Sequence, residues 1–180
     1  MNYVGKAIPR EEDLRLLQGR GRYTDDVNAL NQAHAYVFRS PIVHADIRSI
    51  NTTAALNAPG VLAVLTGEDL KARGLGTLRP AAPGKRSDGS PGFVCAQPLL
   101  AQDRVRYAGE AIAFIVAETV AQAKDAAELI EIDFDALPVV TSVDDALAPD
   151  AYALWDDNPS NEAYTFEKGD ASAVNSVLSN

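Results

Sequence analysis

The sequence predicts a soluble domain of mixed α and β structure, with short helices set between strands. Three observations in Leu99–Val140 carry this prediction. Residues 111–117, AIAFIVA, contain no polar side chain and suit a strand covered on both faces. Ile130, Ile132 and Phe134 alternate with Glu131, Asp133 and Asp135, the pattern of a strand with one wet face. Between them Val120, Ala123, Ala127 and Ile130 recur at spacings of three and four, an amphipathic helical stripe opened by Thr119 and Gln122 as a capping box. At 180 residues and 47% hydrophobic composition, roughly 70% of the unfolded surface can be buried without a disulfide or metal staple.

The remaining elements follow in chain order. Pro9–Leu17 reads as a short helix, with proline in its first turn, Glu11, Glu12 and Asp13 at its positive end, and Gly19 as C-cap. Ala33–Arg39 alternates as a strand, and Ser40-Pro41 ends it. Ala45–Asn51 is a second strand, and the short connection between the two suits an antiparallel pair. Thr52 or Thr53 caps one helical turn to Leu56. Pro59-Gly60 turns into a strand at Val61–Leu65, and Thr66 opens a helix ending near Gly74. Gly74–Ala96 is rich in glycine and proline and reads as a mobile or partner-ordered loop, made basic by Arg79, Lys85 and Arg86, with a ligand lid as the alternative. Val105–Tyr107 is a short strand and Ala108-Gly109-Glu110 a turn. Strand, helix and strand across 111–135 fit a right-handed βαβ crossover, with mixed strand directions also open. Lys124 and Glu128 form an i, i+4 pair. Ser142–Leu147 is a capped helix, Trp155–Pro159 a surface segment with one anchoring aromatic, Tyr164–Glu167 a possible strand, and Ala171–Leu178 a helix capped by Asp170.

A formal net charge of −9 argues against nucleic acid and anionic membrane as partners. No apolar run approaches a membrane span, and the N-terminus has no secretory h-region. Cys95 is the single cysteine, which excludes an internal disulfide and multi-cysteine metal sites and makes a reducing cytoplasm the default. It reads as a buried inert thiol. Gly19-Arg20-Gly21-Arg22-Tyr23 could hold a phosphate or carboxylate, but the dinucleotide and P-loop patterns fail, and a turn or interface segment is the favoured reading. Thr24-Asp25-Asp26 could bind a cation and reads better as a solvated turn. His34 and His44, the two histidines, give a poor basis for a metal site. No order suggests a Ser-His-Asp or Cys-His arrangement. Glu110 is expected to accept backbone hydrogen bonds in its turn rather than to contact a ligand.

Several segments, in order, resemble the N-terminal domain of the large, molybdenum-binding subunit of the xanthine dehydrogenase, aldehyde oxidase and aerobic carbon monoxide dehydrogenase family. They are Pro9-Arg10 through Leu17 with 19–26 (GRGRYTDD); Arg39-Ser40-Pro41 with 44–47 (HADI); Pro59-Gly60-Val61 with 65–69 (LTGED); Pro98-Leu99-Leu100 with 105–110 (VRYAGE); and 126–130 (AAELI) through Leu137-Pro138-Val139. Ile42 stands where relatives often carry histidine. The resemblance implies an α+β fold, the α/β-hammerhead, with a mixed sheet and short helices over 1–150. Residues 151–180 are then a linker and the truncated start of the molybdenum-binding domain.

The parent reaction it implies is water-derived hydroxylation or oxidation of an aldehyde, purine-like or CO substrate at a molybdenum-pterin cofactor, with 2Fe-2S and FAD in partner subunits or domains. The family's pterin-binding and base-glutamate motifs are absent from these residues. No catalytic, cofactor-binding or metal residue is therefore assigned, and the fragment alone is expected to hold no cofactor and to be inactive. Its expected role is structural, packing against the rest of the large subunit and against the iron–sulfur and FAD subunits. A free-standing acidic protein-interaction module is the alternative. The identity of the parent substrate is not encoded in the matched segments.

Overall fold

The computed structural model describes residues 3–81, 84–166 and 168–179. The chain divides into two compact units, Met1–Gln32 and Ala33–Asn180.

In the first unit, helix α1 (Asp13–Leu17) starts four residues later than the sequence reading placed it. Its end is as expected: Gly19 adopts φ +69°, its N–H donates to Leu16 O, and the Arg20 N–H donates to Arg15 O at 2.9 Å. This is a Schellman termination. A 3₁₀ turn at Thr24–Asp26 follows.

The second unit contains, in order, β1 (His34–Arg39), β2 (Ala45–Asn51), α2 (Thr53–Leu56), β3 (Val61–Thr66), α3 (Gly67–Ala72), β4 (Thr77–Leu78), β5 (Gln97–Pro98), β6 (Arg104–Val105), β7 (Ala111–Ala117), α4 (Val120–Glu128), β8 (Glu131–Ala136), α5 (Val143–Leu147) and α6 (Ala171–Leu178). One sheet has the order β1-β7-β3, a second β6-β2-β8, and β4 pairs with β5. All these strand pairs are antiparallel. The apolar strand β7 is thus the centre of its sheet. Ala113, Ile115 and Ala117 bury themselves under Ala123, Ala126, Ala127 and Ile130, while Ile112 belongs to a second cluster with Ala45, Ala101 and Val105. Ile112 and Ile115 are fully buried, each worth about 1.5–3 kcal/mol of apolar transfer.

Several expectations are corrected here. Strands β1 and β2 do not pair with each other, because residues 40–44 carry the chain from one sheet to the other. The β7–α4–β8 unit likewise joins two sheets and is not a parallel crossover. Strand β6 begins at Arg104 and ends at Val105, since Arg106 and Tyr107 enter the turn. On α4 the buried stripe is Ala123, Ala126 and Ala127; Val120, at the exposed first turn, stays 44% accessible. The Lys124 ammonium lies 6.0 Å over the Tyr36 ring rather than on Glu128. Thr119 caps α4 as read, its Oγ1 accepting the Gln122 N–H, but the box is not closed: the Gln122 Oε1 accepts from the Thr119 hydroxyl rather than from its backbone N–H.

The glycine-rich stretch after α3 is tied to the chain's own later residues. Phe93 N–H donates to Ala163 O at 2.7 Å and Thr165 N–H to Lys85 O at 3.0 Å, while within the stretch Gly92 N–H donates to Gly84 O at 2.8 Å. Of the strand expected at Tyr164–Glu167, an isolated bridge between Lys85 and Thr165 forms; Glu167 lies outside the described residues.

Candidate functional site

The polar interior of the second unit lies where β1 ends and β7 begins. Ser40 and Glu110 are both 4% exposed. Ser40 N–H donates to Glu110 O at 2.8 Å, and Gly109 N–H donates back to Ser40 O at 2.9 Å. The Arg39 guanidinium donates to Gly109 O at 2.9 Å. Ser40 Oγ donates to Ile42 O and accepts the Ile42 N–H, folding the corner on itself. Gly109 sits at φ +86°, a conformation open to glycine at little cost. The Arg39-Ser40-Pro41 and Ala108-Gly109-Glu110 segments, distant in sequence, thus form one interlocked corner. Glu110 does what its turn position suggested: its carboxylate accepts the Arg106 N–H at 2.6 Å. Burial pushes its pKa up, opposed by that bond and by the Arg106 charge.

His44 is 1% exposed and is structural. Its carbonyl accepts the Leu137 N–H at 3.0 Å, and its Nδ1 lies 2.7 Å from Pro138 O. A carbonyl only accepts, so Nδ1 carries the proton. Nε2 has no protein partner, and the Tyr152 ring packs edge-on at 5.4 Å. His34 is in register with Ala117 in the other sheet, so the two histidines serve different elements. Ile42 packs on the second apolar cluster.

Three arginines hold the segment after α5. Arg104 bridges Asp46 at 2.5 Å and Asp156 at 2.9 Å; the Asp46 carboxyl is held below its ordinary range chiefly by the Arg104 hydrogen bond. Arg106 donates to Leu154 O at 2.9 Å and stacks 4.0 Å over the Trp155 ring, which also meets Phe93 at 5.9 Å. Arg86 donates to Asn158 Oδ1 at 2.9 Å; Asn158 is 2% exposed. Sequence reading missed Arg104 and Asn158. The available signal was the closely spaced pair Arg104 and Arg106, together with the lone Trp155 followed by Asp156 and Asp157.

The other candidates are dispersed. Cys95 is exposed, not buried, on the wall of an open pocket that it shares with Phe93, Ala163 and Tyr164. Partial desolvation still raises its thiol pKa, so it stays protonated near neutrality. Asp26 accepts the Tyr23 N–H at 2.8 Å and closes its own turn, and the Arg20 backbone serves the α1 cap. Among the described residues, no three His, Cys, Asp or Glu side chains converge as metal ligands. No helix is long and apolar enough to cross a membrane among the described residues.

A family model described as aldehyde oxidase and xanthine dehydrogenase, a/b hammerhead domain, matches residues 18–138. The chain is 42% identical over 140 residues to the nicotine 6-hydroxylase large subunit of Paenarthrobacter nicotinovorans, covering 77% of this chain and 16% of the relative. It is 35% identical over 182 residues to the carbon monoxide dehydrogenase large chain of Hydrogenophaga pseudoflava, covering 94% and 21%. The solved CO dehydrogenase of Oligotropha carboxidovorans superposes with a TM-score of 0.69 at 39% identity, over 82% of this chain and 17% of that one. The chain therefore spans about a fifth of the length of the relatives it matches.

Proposed function

The chain belongs to the aldehyde oxidase and xanthine dehydrogenase a/b hammerhead family, and from that membership we propose that it is the structural, subunit-packing domain of a molybdenum-dependent hydroxylase. The supporting observation is the interlocked corner. Arg39–Pro41 and Arg106–Glu110 turn their polar groups on one another, and His44 ties Leu137-Pro138 to the start of the neighbouring strand through both its carbonyl and its ring. A domain organised in this way contributes a shaped surface, and the reacting groups come from the rest of the subunit.

In this reading, residues 1–150 form the hammerhead body, and 151–180 lead toward the molybdenum-binding part. The Arg86, Arg104 and Arg106 contacts fix where that lead leaves the body. The partners are the remainder of the large subunit and the iron–sulfur and FAD subunits, in a reducing cytoplasm. The 180 residues alone hold no molybdenum-pterin cofactor and catalyse nothing.

The test is purification of the isolated chain and of the parent subunit with and without these residues. The isolated chain should fold, contain no stoichiometric molybdenum and oxidise neither CO, aldehyde nor purine. The subunit lacking residues 1–180 should fail to retain its iron–sulfur and FAD partners. Full retention of partners by the deleted subunit would overturn the packing role.

A further inference from the structure

Strand β2 carries an open edge. Its neighbour β6 pairs with it through Ala45 and Asp46, and one further bond runs from the Ile47 N–H to Asp103 O at 2.8 Å. The chain before Asp103 then leaves β2: Ala101 N–H donates to Ala111 O at 2.7 Å. Gly67 packs so closely against it that a Cβ there would lie 2.4 Å from Ala101 O.

On its other edge β2 pairs with β8 as far as Asn51, with a bulge between Ile47 and Ser49. Because the Ile47 N–H faces β6, Ile47 and Phe134 are a non-bonded pair. Two residues along β8, Ile132 opposite Ile50 has the same parity. Ile50 therefore turns its N–H and C=O away from β8. They face a groove of about 160 Å³ whose walls include Arg48, Ser49, Thr66 and Glu68. Through Glu68 and Gln102 it adjoins a second pocket of about 360 Å³ bearing Lys71 and Asp103.

We infer that this edge accepts an extended segment of another subunit, laid antiparallel to β2 in line with β6 and carrying a lysine or arginine. The inference rests on the subunit-packing reading. A strand edge takes another backbone as its natural ligand, main-chain bonds supplying affinity and side-chain pockets supplying selectivity. Charge selects the occupant. Arg48 is already paired with Asp135 at 2.6 Å, so Glu68 on the groove wall and Asp103 in the adjoining pocket stand against Lys71 of that pocket, in a chain of net charge −9. The same surplus disfavours a second copy, which would bring two acidic grooves together.

The test places a photo-cross-linking amino acid at position 49 in the assembled enzyme. Irradiation should join position 49 to a different subunit, at a segment with Lys or Arg within a few residues. The Ile50 amide should exchange more slowly in the assembly than in the large subunit separated from its partners. The double variant Glu68→Gln, Asp103→Asn should lower the cross-link yield several-fold, more at low salt than at high salt; an unchanged yield overturns the basic segment. Cross-linking within the same subunit, to a second copy, or none with equally fast Ile50 exchange overturns strand addition while leaving the packing role standing. Absence of any second subunit from the purified enzyme overturns both.

Discussion

Glu110 is buried, and its carboxylate accepts the Arg106 N–H at 2.6 Å. Its pKa is raised from the ordinary 4.5, first by burial. The folded chain therefore binds this proton at a higher pH than the unfolded chain does. This group's contribution to stability falls as pH rises through that window and is most favourable below it. Glu110→Gln keeps an acceptor for the Arg106 N–H and removes the buried charge. Thermal unfolding between pH 4 and 8, at roughly one-unit steps across the shifted carboxylate range, should show the wild type losing stability relative to Glu110→Gln as pH rises. A constant difference would show that the carboxyl is not perturbed.

Gly67 gives a second residue-scale test. Its added Cβ would meet the Ala101 carbonyl at 2.4 Å, a backbone atom that cannot rotate aside. Gly67→Ala should cost about 1–3 kcal/mol by denaturant unfolding, despite the better helix propensity of alanine. Glu110 was legible in sequence because a carboxylate after a glycine in a turn has local donors. The surroundings of His44 and Cys95 were not, because His44 is buried by Pro138 and Tyr152, partners about a hundred residues away in the chain that no local pattern specifies.

At the scale of elements, β7, α4 and β8 were readable because their signals are local. An unbroken apolar run, a Thr119–Gln122 cap and a period-two alternation each need only neighbouring residues. Pairing was not readable. Ala33–Arg39 and Ala45–Asn51 carry the right alternation for strands, yet their partners are β7 for one and β6 and β8 for the other. The short link between them suits a hairpin as well as a crossing between sheets, and the buried Ser40 corner decides the matter. The centrality of β7 can be tested with Ile115→Asp. A carboxylate at this fully buried position has no partner, and its cost of several kcal/mol compares with a whole-domain stability of about 5–15 kcal/mol. The variant should be insoluble on expression. A soluble product with a near-normal melting transition would show that the strand is dispensable.

At the scale of the whole second unit, the segment around Trp155 is held to the body through arginine. Arg106→Ala removes the stacking on Trp155 at 4.0 Å and the bond to Leu154 O. The loss should be about 2–4 kcal/mol. Trp155 is the single tryptophan, so its emission should move to longer wavelength before global unfolding; an unmoved spectrum would mean that the segment stays docked without Arg106.

The central place of β7 has a further consequence for how the protein is made. Strands β1 and β3 leave the ribosome first, but the strand that joins them spans residues 111–117, and β2 waits for β8 at 131–136. Neither sheet can close on the nascent chain until nearly all of this stretch has emerged. Long-range pairing of this kind is slow and exposes unpaired edges in the meantime. Synthesis therefore passes through an interval in which Tyr36, Phe38, Val61 and Val64 lie uncovered. A holding chaperone would be needed most in that interval, just before β7 arrives.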